Sequence, residues 1–409
     1  METDERRKAG MGTRSAKMHS KSATDANERY SEQSCSRESR TCQRTDPELD
    51  EQIFATLYGQ CIGDAIGLLT EFMSRRKADK CYGHIKKLEY RDKIDDDHRK
   101  RWDNGDWTDD SDQMILIMQS LTDKNGDVDP RDFARKLVHW KENGFRKLGD
   151  TCGLDIGHTT YAIISMNDFE QHPHKASKEV WEESGKYLAP NGGVMRTSIL
   201  GIHDWWNQNK VYANAIDICK TTHYDPRCQA SAVAVCTAIS LMLQKRSIHF
   251  KQTGEYIVET IIEDAFREAS TCLHSKHEKD VLQKCLRCVN LSDLKLDEEN
   301  AIGYTYKCLG AGFWALKQND FRQALQEIVM SGGDADTNAA VAGALLGCKL
   351  GSRKHFPETW LDLKNRKWLD EQIDKYLTVL KKRQIEWNLM KEEERRPVKV
   401  HRKPMKAAM

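Results

Sequence analysis

Residues 331–351 read SGGDADTNAAVAGALLGCKLG, an acidic loop that leads into a run with no charge between Asp336 and Lys349. Gly332 and Gly333 let the backbone turn sharply and approach a ligand. Asp334, Asp336 and Thr337 supply the carboxylate and hydroxyl oxygens that hard divalent cations prefer. The run beyond them carries Ala339, Ala340, Gly343, Ala344, Gly347 and Gly351, a small-residue face suited to close helix packing. Such packing draws the helix start deep into a bundle, where metal sites shared between helices are built. A second loop of the same kind lies far upstream: Trp107-Thr108-Asp109-Asp110-Ser111-Asp112, again followed by an apolar run. Alone, it reads as capping, because Asp and Thr at a helix start complement the helix dipole. Together, the two loops read as halves of one site for magnesium, with manganese as the alternative. An EF-hand is excluded, since counting from Asp334 places Ala339 and Leu345 where that loop needs Gly and a bidentate Glu.

Outward from these loops the pattern is helical throughout. Ile53, Phe54, Leu57, Tyr58, Cys61, Ile62, Ala65, Ile66 and Leu69 recur at helical spacing, and Gly59, Gly63 and Gly67 on the same segment point to close helix approach. Further helices are predicted over 114–121, 133–140, 228–243, 256–273, 304–316, 321–329 and 339–350. Strand-like alternation is scarce, so the fold class is all-α, with its functional residues on loops at helix starts. Residues 1–48 are polar and nearly devoid of large apolar side chains and are expected to form a disordered tail. The helical domain spans 49–380, and 381–409 is a charged C-terminal tail.

Composition narrows the function. With 64 basic and 63 acidic residues the net charge is +1, so no global field points to nucleic acid or an anionic membrane as partner. No apolar run is read as long enough to span a bilayer. The 13 cysteines are irregularly spaced and no apolar leader is read at the N-terminus, which implies reduced thiols in a cytoplasmic protein, with the nucleus as the alternative. Cys285 and Cys288 form a lone C-x-x-C, read as helix-face thiols rather than a zinc site. A monomer is expected.

Three other segments can carry chemistry. Glu71 ends the stretch Gly63-Asp64-Ala65-Ile66-Gly67-Leu68-Leu69-Thr70-Glu71. Asn191-Gly192-Gly193 offers unhindered backbone N–H groups, either a phosphate nest or a plain turn. Asp155 and His158 lie in Gly153-Leu154-Asp155-Ile156-Gly157-His158, and His223 precedes a long helix; both could be simple capping.

Taken in order, GDAIGLLTE, WTDDSDQ, GLDIGHTT, NGGVMR, THYDP and SGGDADTNAAVAGALLG resemble the ADP-ribosylglycohydrolase family, which includes dinitrogenase reductase-activating glycohydrolase and crystallin-like relatives. The resemblance covers most of residues 50–352. It implies an all-α, orthogonal multi-helix bundle around a central dinuclear metal cleft with two Mg2+ ions, hydrolysing the bond between the anomeric carbon of ADP-ribose and an acceptor, either a protein side chain or a small conjugate. By motif, Thr108, Asp109 and Asp110 match one metal-ligand triplet, and Asp334, Asp336 and Thr337 the other. Glu71 and Asp155 match the family's remaining carboxylates, and Asn191, Gly192 and Gly193 would hold phosphates. His158 and His223 join them as substrate-binding candidates. Ser111 and Ala335 stand where the family often has Thr, neither as a ligand. Retention of every metal carboxylate favours an enzyme over a silent, crystallin-like ADP-ribose binder. Between the two leftover carboxylates, Glu71 is expected to take the proton of the attacking water, apart from the metal loops, and Asp155 to face the ribose or the leaving acceptor.

Overall fold

The computed structural model describes residues 46–395. It contains α1 (Pro47–Gly67), α2 (Arg75–Tyr82), α3 (Asp109–Asp123), α4 (Pro130–Asn143), α5 (His158–Ile164), α6 (Pro173–Glu183), α7 (Ser198–Ile202), α8 (Gln208–Cys219), α9 (Pro226–Gln244), α10 (Val258–Ala269), α11 (Lys276–Leu286), α12 (Thr305–Leu316), α13 (Phe321–Val329), α14 (Ala335–Leu350) and α15 (Arg366–Arg395). Among the described residues, extended pairing is limited to three isolated bridges. The all-α expectation holds.

Why these helices form is local in part. The side chain of Asp46 accepts the N–H groups of Glu48 and Leu49, and Pro47 occupies the first helical position, where its missing N–H costs nothing. The helix therefore starts two residues before the expected domain boundary of 49; the rest of the expected N-terminal tail lies outside the described residues. Helix α15 corrects the other boundary. Leu369, Ile373, Tyr376, Leu377 and Leu380 are buried at helical spacing, and the helix runs on to Arg395, into the segment expected as a charged tail, whose residues 396–409 lie outside the described residues. Lys381 pairs with Asp50 at 2.6 Å and Arg383 with Asp204 at 2.8 Å. Once the apolar stripe is anchored, a charged continuation needs only its solvated face and such pairs.

Short helices such as α2 escaped the sequence reading because they bury too little to show a period: only Ala78 and Tyr82 of α2 are buried. Helix α9 corrects the membrane argument. It is long and apolar enough to cross a bilayer by length and composition, yet 83% of its apolar window is buried within the protein, where it packs on α7, α8, α10, α12 and α14.

The contact that positions the site is between α1 and α14. A Cβ on Gly59 would lie 2.1 Å from the Gly343 carbonyl oxygen, one on Gly63 would lie 2.0 Å from that of Ala339, and one on Gly67 would lie 2.4 Å from the Cα of Asp336. Position numbers rise on one helix as they fall on the other, so the pair is antiparallel. The end of α1 therefore meets the start of α14, backbone against backbone, at the acidic loop.

Candidate metal centre and catalytic cleft

Asp64 lies on α1 between two of these close-packed glycines and is fully buried. Its Oδ1 accepts the backbone N–H and the hydroxyl of Thr108, both at 2.9 Å, and its Oδ2 accepts the Ser111 N–H at 2.9 Å. One carboxylate thus caps α3 from a different helix, satisfying donors that the helix start leaves free. Sequence reasoning gave Asp64 no role. The available signal was a charge inside a small-residue helical stripe, which a packed helix can bury only when its hydrogen bonds are met.

The two acidic loops interlock above it. The Thr337 hydroxyl lies 3.0 Å from both carboxylate oxygens of Asp110, and the Thr108 hydroxyl lies 3.3 Å from Asp336 Oδ2. Asn191 Nδ2 donates to Asp334 Oδ2 at 2.8 Å. Ligand atoms of Asp64, Asp110 and Asp336 lie within 4.8 Å of one another, as do those of Glu71, Asp334 and Asp336. The two groups share Asp336. Asp336 Oδ1 is buried and has no hydrogen-bond partner, an orphaned carboxylate oxygen that a bound cation would satisfy. Burial, with neighbouring carboxylates adding to it, raises Asp109, Asp110 and Asp336 well above the usual carboxylate range. Asp64 is pushed up to about 6, by burial against its hydrogen bonds. Nearby cations do not relieve this repulsion. Arg99 spends its guanidinium on the Leu69 and Glu71 carbonyls and on Asp96, and Arg196 on Gln113 and Thr222. An all-oxygen donor set with excess negative charge fits hard divalent cations.

The remaining acids of the first loop, Asp109 and Asp112, are each engaged by neighbouring side chains. Asp109 stands outside both groups, with its Oδ2 2.5 Å from Gln113 Nε2. Asp112 accepts the indole N–H of Trp107 at 2.7 Å and that of Trp140 at 3.0 Å, which makes it a structural anchor between two tryptophans.

The expected separation of Glu71 from the metal loops does not hold. Phe72 N donates to Gly333 O at 2.7 Å and Gly333 N to Met73 O at 2.8 Å, and this bridge pins Glu71 beside Asp334. Gly333 has φ +74°, and a Cβ there would lie 2.0 Å from the Leu296 carbonyl oxygen, so only glycine fits. Glu71 is 3% exposed. Burial first, then Asp155, Asp334 and Asp110, raise its pKa well above the ordinary value.

A histidine that sequence reasoning missed faces it. His98 Nε2 lies 2.7 Å from Glu71 Oε2, and its ring packs between Phe72 and Trp102, with centroids at 5.0 and 5.2 Å. Arg101 contacts its other nitrogen, Nδ1, and also reaches Asp155 Oδ1 at 3.2 Å. Since a guanidinium can only donate, Nδ1 is the acceptor and Nε2 carries the proton toward Glu71. Burial lowers the His98 pKa, with Asp155 opposing and Arg101 reinforcing the shift. Nothing in the run DDDHRKR singles His98 out; only the fold brings it to Glu71.

The substrate-binding candidates divide. Gly192 and Gly193 are buried against His223: a Cβ on Gly192 would lie 2.7 Å from the imidazole Cε1, and one on Gly193 would lie 2.9 Å from Cys219 Sγ. Their small size therefore serves His223 packing. His223 Nδ1 lies 2.8 Å from Thr222 Oγ1, and burial with Arg196 nearby holds its pKa well below the ordinary value. A buried polar chain thus links Asp109 through Gln113, Arg196 and Thr222 to His223. His158 is the exposed first residue of α5 and makes no side-chain hydrogen bond to these groups.

Known proteins share this arrangement of chain. The sequence model of the ADP-ribosylglycohydrolase family matches residues 45–386. A Serratia proteamaculans protein named ADP-ribosylarginine hydrolase Tri1 is 26% identical over 324 residues, covering 78% of this chain and 77% of that one. The Rhodospirillum rubrum protein named ADP-ribosyl-[dinitrogen reductase] glycohydrolase is 21% identical over 359 residues, covering 82% and 98%. A solved structure titled "ADP-ribosylglycohydrolase-related protein complex" superposes with a TM-score of 0.56 at 22% identity, covering 82% of this chain and 99% of that one, which is likeness of fold.

Proposed function

The chain belongs to the ADP-ribosylglycohydrolase family and is an ADP-ribosyl glycohydrolase, and on that premise we propose a magnesium-dependent enzyme that uses two ions, with Mn2+ as substitute. The observation carrying this is the pair of three-carboxylate groups that share Asp336, with its orphaned Oδ1. Asp64, Asp110 and Asp336 would hold one ion, Asp334, Asp336 and Glu71 would border the other, and Thr108 and Thr337 would add hydroxyl oxygens. When bound, such ions hold ribose hydroxyls and stabilise charge at the reacting centre.

The chain's own groups do the rest. Breaking a glycosidic bond to ribose develops positive charge at the anomeric carbon, and a carboxylate activates the attacking water. Glu71 takes the water proton on its carboxylate. His98 holds Oε2 through Nε2–H and so leaves Oε1 facing the water. Asp155 faces the departing acceptor, a protein side chain or a small ADP-ribose conjugate, and Asn191 holds Asp334 in register. The test is release of ADP-ribose from arginine-linked, serine-linked and acetyl-linked substrates, each with magnesium and with a strong chelator. Magnesium-restored turnover is expected; full activity after verified metal removal would overturn the metal assignment.

A further inference from the structure

Arg101 is held by four groups at the edge of the cleft. Its Nε donates to the His98 carbonyl at 3.0 Å, its guanidinium lies over the Trp102 ring at 4.4 Å, and its terminal nitrogen meets both His98 Nδ1 and Asp155 Oδ1. Asp155 has φ +62°, a left-handed conformation that side chains other than glycine adopt at a cost. Its side chain is only 15% exposed, against 37% for Arg101. Asp155 is also within 4.8 Å of the Glu71 and His98 ligand atoms, so the carboxylate points at the reacting place and not at bulk solvent. An ordinary surface ion pair is worth little. This one is preorganised by a backbone acceptor, a stacked indole and a half-buried partner, and it lies where an acceptor must pass.

We infer that Arg101 is a specificity-determining residue: its guanidinium takes, from within the chain, the place opposite Asp155 that a cationic acceptor would need, and so favours uncharged, oxygen-linked acceptors over arginine. The inference rests on the assignment of Asp155 to the acceptor side of the cleft. A guanidinium acceptor is the best available partner for a carboxylate, but here it must displace Arg101 and then leave at close range to a like charge. A serine hydroxyl or an acyl oxygen does neither. Discrimination therefore comes from a repulsive element as well as from the lost attraction, the usual construction of a selective site.

The experiment measures kcat/KM on ADP-ribosylarginine and on ADP-ribosylserine for the wild-type protein, Arg101→Met, Arg101→Lys and the double variant Arg101→Met with Asp155→Asn. Arg101→Met keeps a long side chain on the Trp102 ring and is expected to shift the arginine-to-serine ratio about tenfold toward arginine, mostly through KM. Arg101→Lys keeps the charge and is expected to hold the wild-type ratio within about threefold. The double variant should lose the gain, because the freed carboxylate is what the arginine acceptor uses. An unchanged ratio in Arg101→Met would overturn the assignment. So would an equal loss on both substrates accompanied by weaker binding of ADP-ribose itself, since Arg101 would then serve the ADP-ribose half. Failure of the magnesium assignment would show separately, as chelator-insensitive turnover with the ratio still measurable.

Discussion

The cleft has two walls of different construction. One is helix-borne: Asp64 on α1, Asp110 on α3, and Asp334 and Asp336 at the start of α14, fixed by backbone-to-backbone contact of α1 with α14. The other is carried by loops, with His98 and Arg101 just before the first acidic loop and Asp155 just before α5. The helix wall holds charge that is costly to bury and would lose its shape with one misplaced Cβ. The loop wall holds exchangeable polar contacts, and Arg99 ties it to the end of α1 through the Leu69 and Glu71 carbonyls. Fixed geometry suits ions and the reacting centre, whereas adjustable contacts suit a variable acceptor.

The sharpest way to break this division is at the shared carboxylate. Asp336→Asn is expected to lower turnover by about three orders of magnitude or more and to abolish the magnesium-dependent rise in melting temperature, because a ligand that binds only the folded state stabilises it. A variant that keeps a wild-type magnesium shift would remove Asp336 from the ion sites.

Glu71→Gln comes next, with turnover down roughly two to four orders of magnitude, the usual size of a general-base effect. ADP-ribose affinity, measured by titration calorimetry, should be largely kept. Near wild-type activity in this variant, with Asp155→Asn dead on every substrate, would reverse the two roles.

Gly63→Ala tests the helix wall without touching a charge. Its Cβ would lie 2.0 Å from the Ala339 carbonyl oxygen, so α1 and α14 must separate, at a cost of about 1–3 kcal/mol or more. Thermal unfolding should show the loss, and magnesium affinity should fall with it. His98→Gln tests the loop wall and is expected to cost about tenfold in kcat with little change in melting temperature, a split that a purely structural role would invert.

One further test lies away from both walls. Buried His203 donates its Nε2–H to the Gly126 carbonyl oxygen at 2.8 Å, and burial lowers its pKa to about 4. A neutral histidine that is harder to protonate when folded contributes its full stability above the unfolded value near 6.5 and loses it as pH falls toward 4. Between pH 7 and 5 this amounts to about 2 kcal/mol. Urea unfolding of wild type and His203→Gln at both pH values should show the acid-side loss reduced in the variant; equal losses would mean that the imidazole is not the group responsible.

Much of the helix wall was legible in the chain because packing at van der Waals contact leaves a repeating mark. Gly59, Gly63 and Gly67 recur every four residues, Ala339, Gly343 and Gly347 answer them, and the carboxylate pairs stand at the helix starts. The ordered motifs located Glu71 and Asp155 as well. Asp64 escaped because a capping carboxylate that serves another helix has no local pattern; α2, α5 and α6 escaped because they bury too few residues to show a period, and α7, buried throughout, is too short to show one.

By itself the sequence determined the helical class, the small-residue faces of α1 and α14 and the two acidic loops, since spacing and residue size act over a few turns; that the two faces meet each other was decided by the tertiary structure. Tertiary structure alone decided that Asp64 caps α3 and that Glu71 joins the second carboxylate group. It also decided that Asp112 anchors two indoles and that Gly192 and Gly193 make room for His223. His98 and Arg101 meet Glu71 and Asp155 across 27 and 54 positions. Contacts of that reach are set by how the bundle closes, and nothing in the neighbouring residues records them.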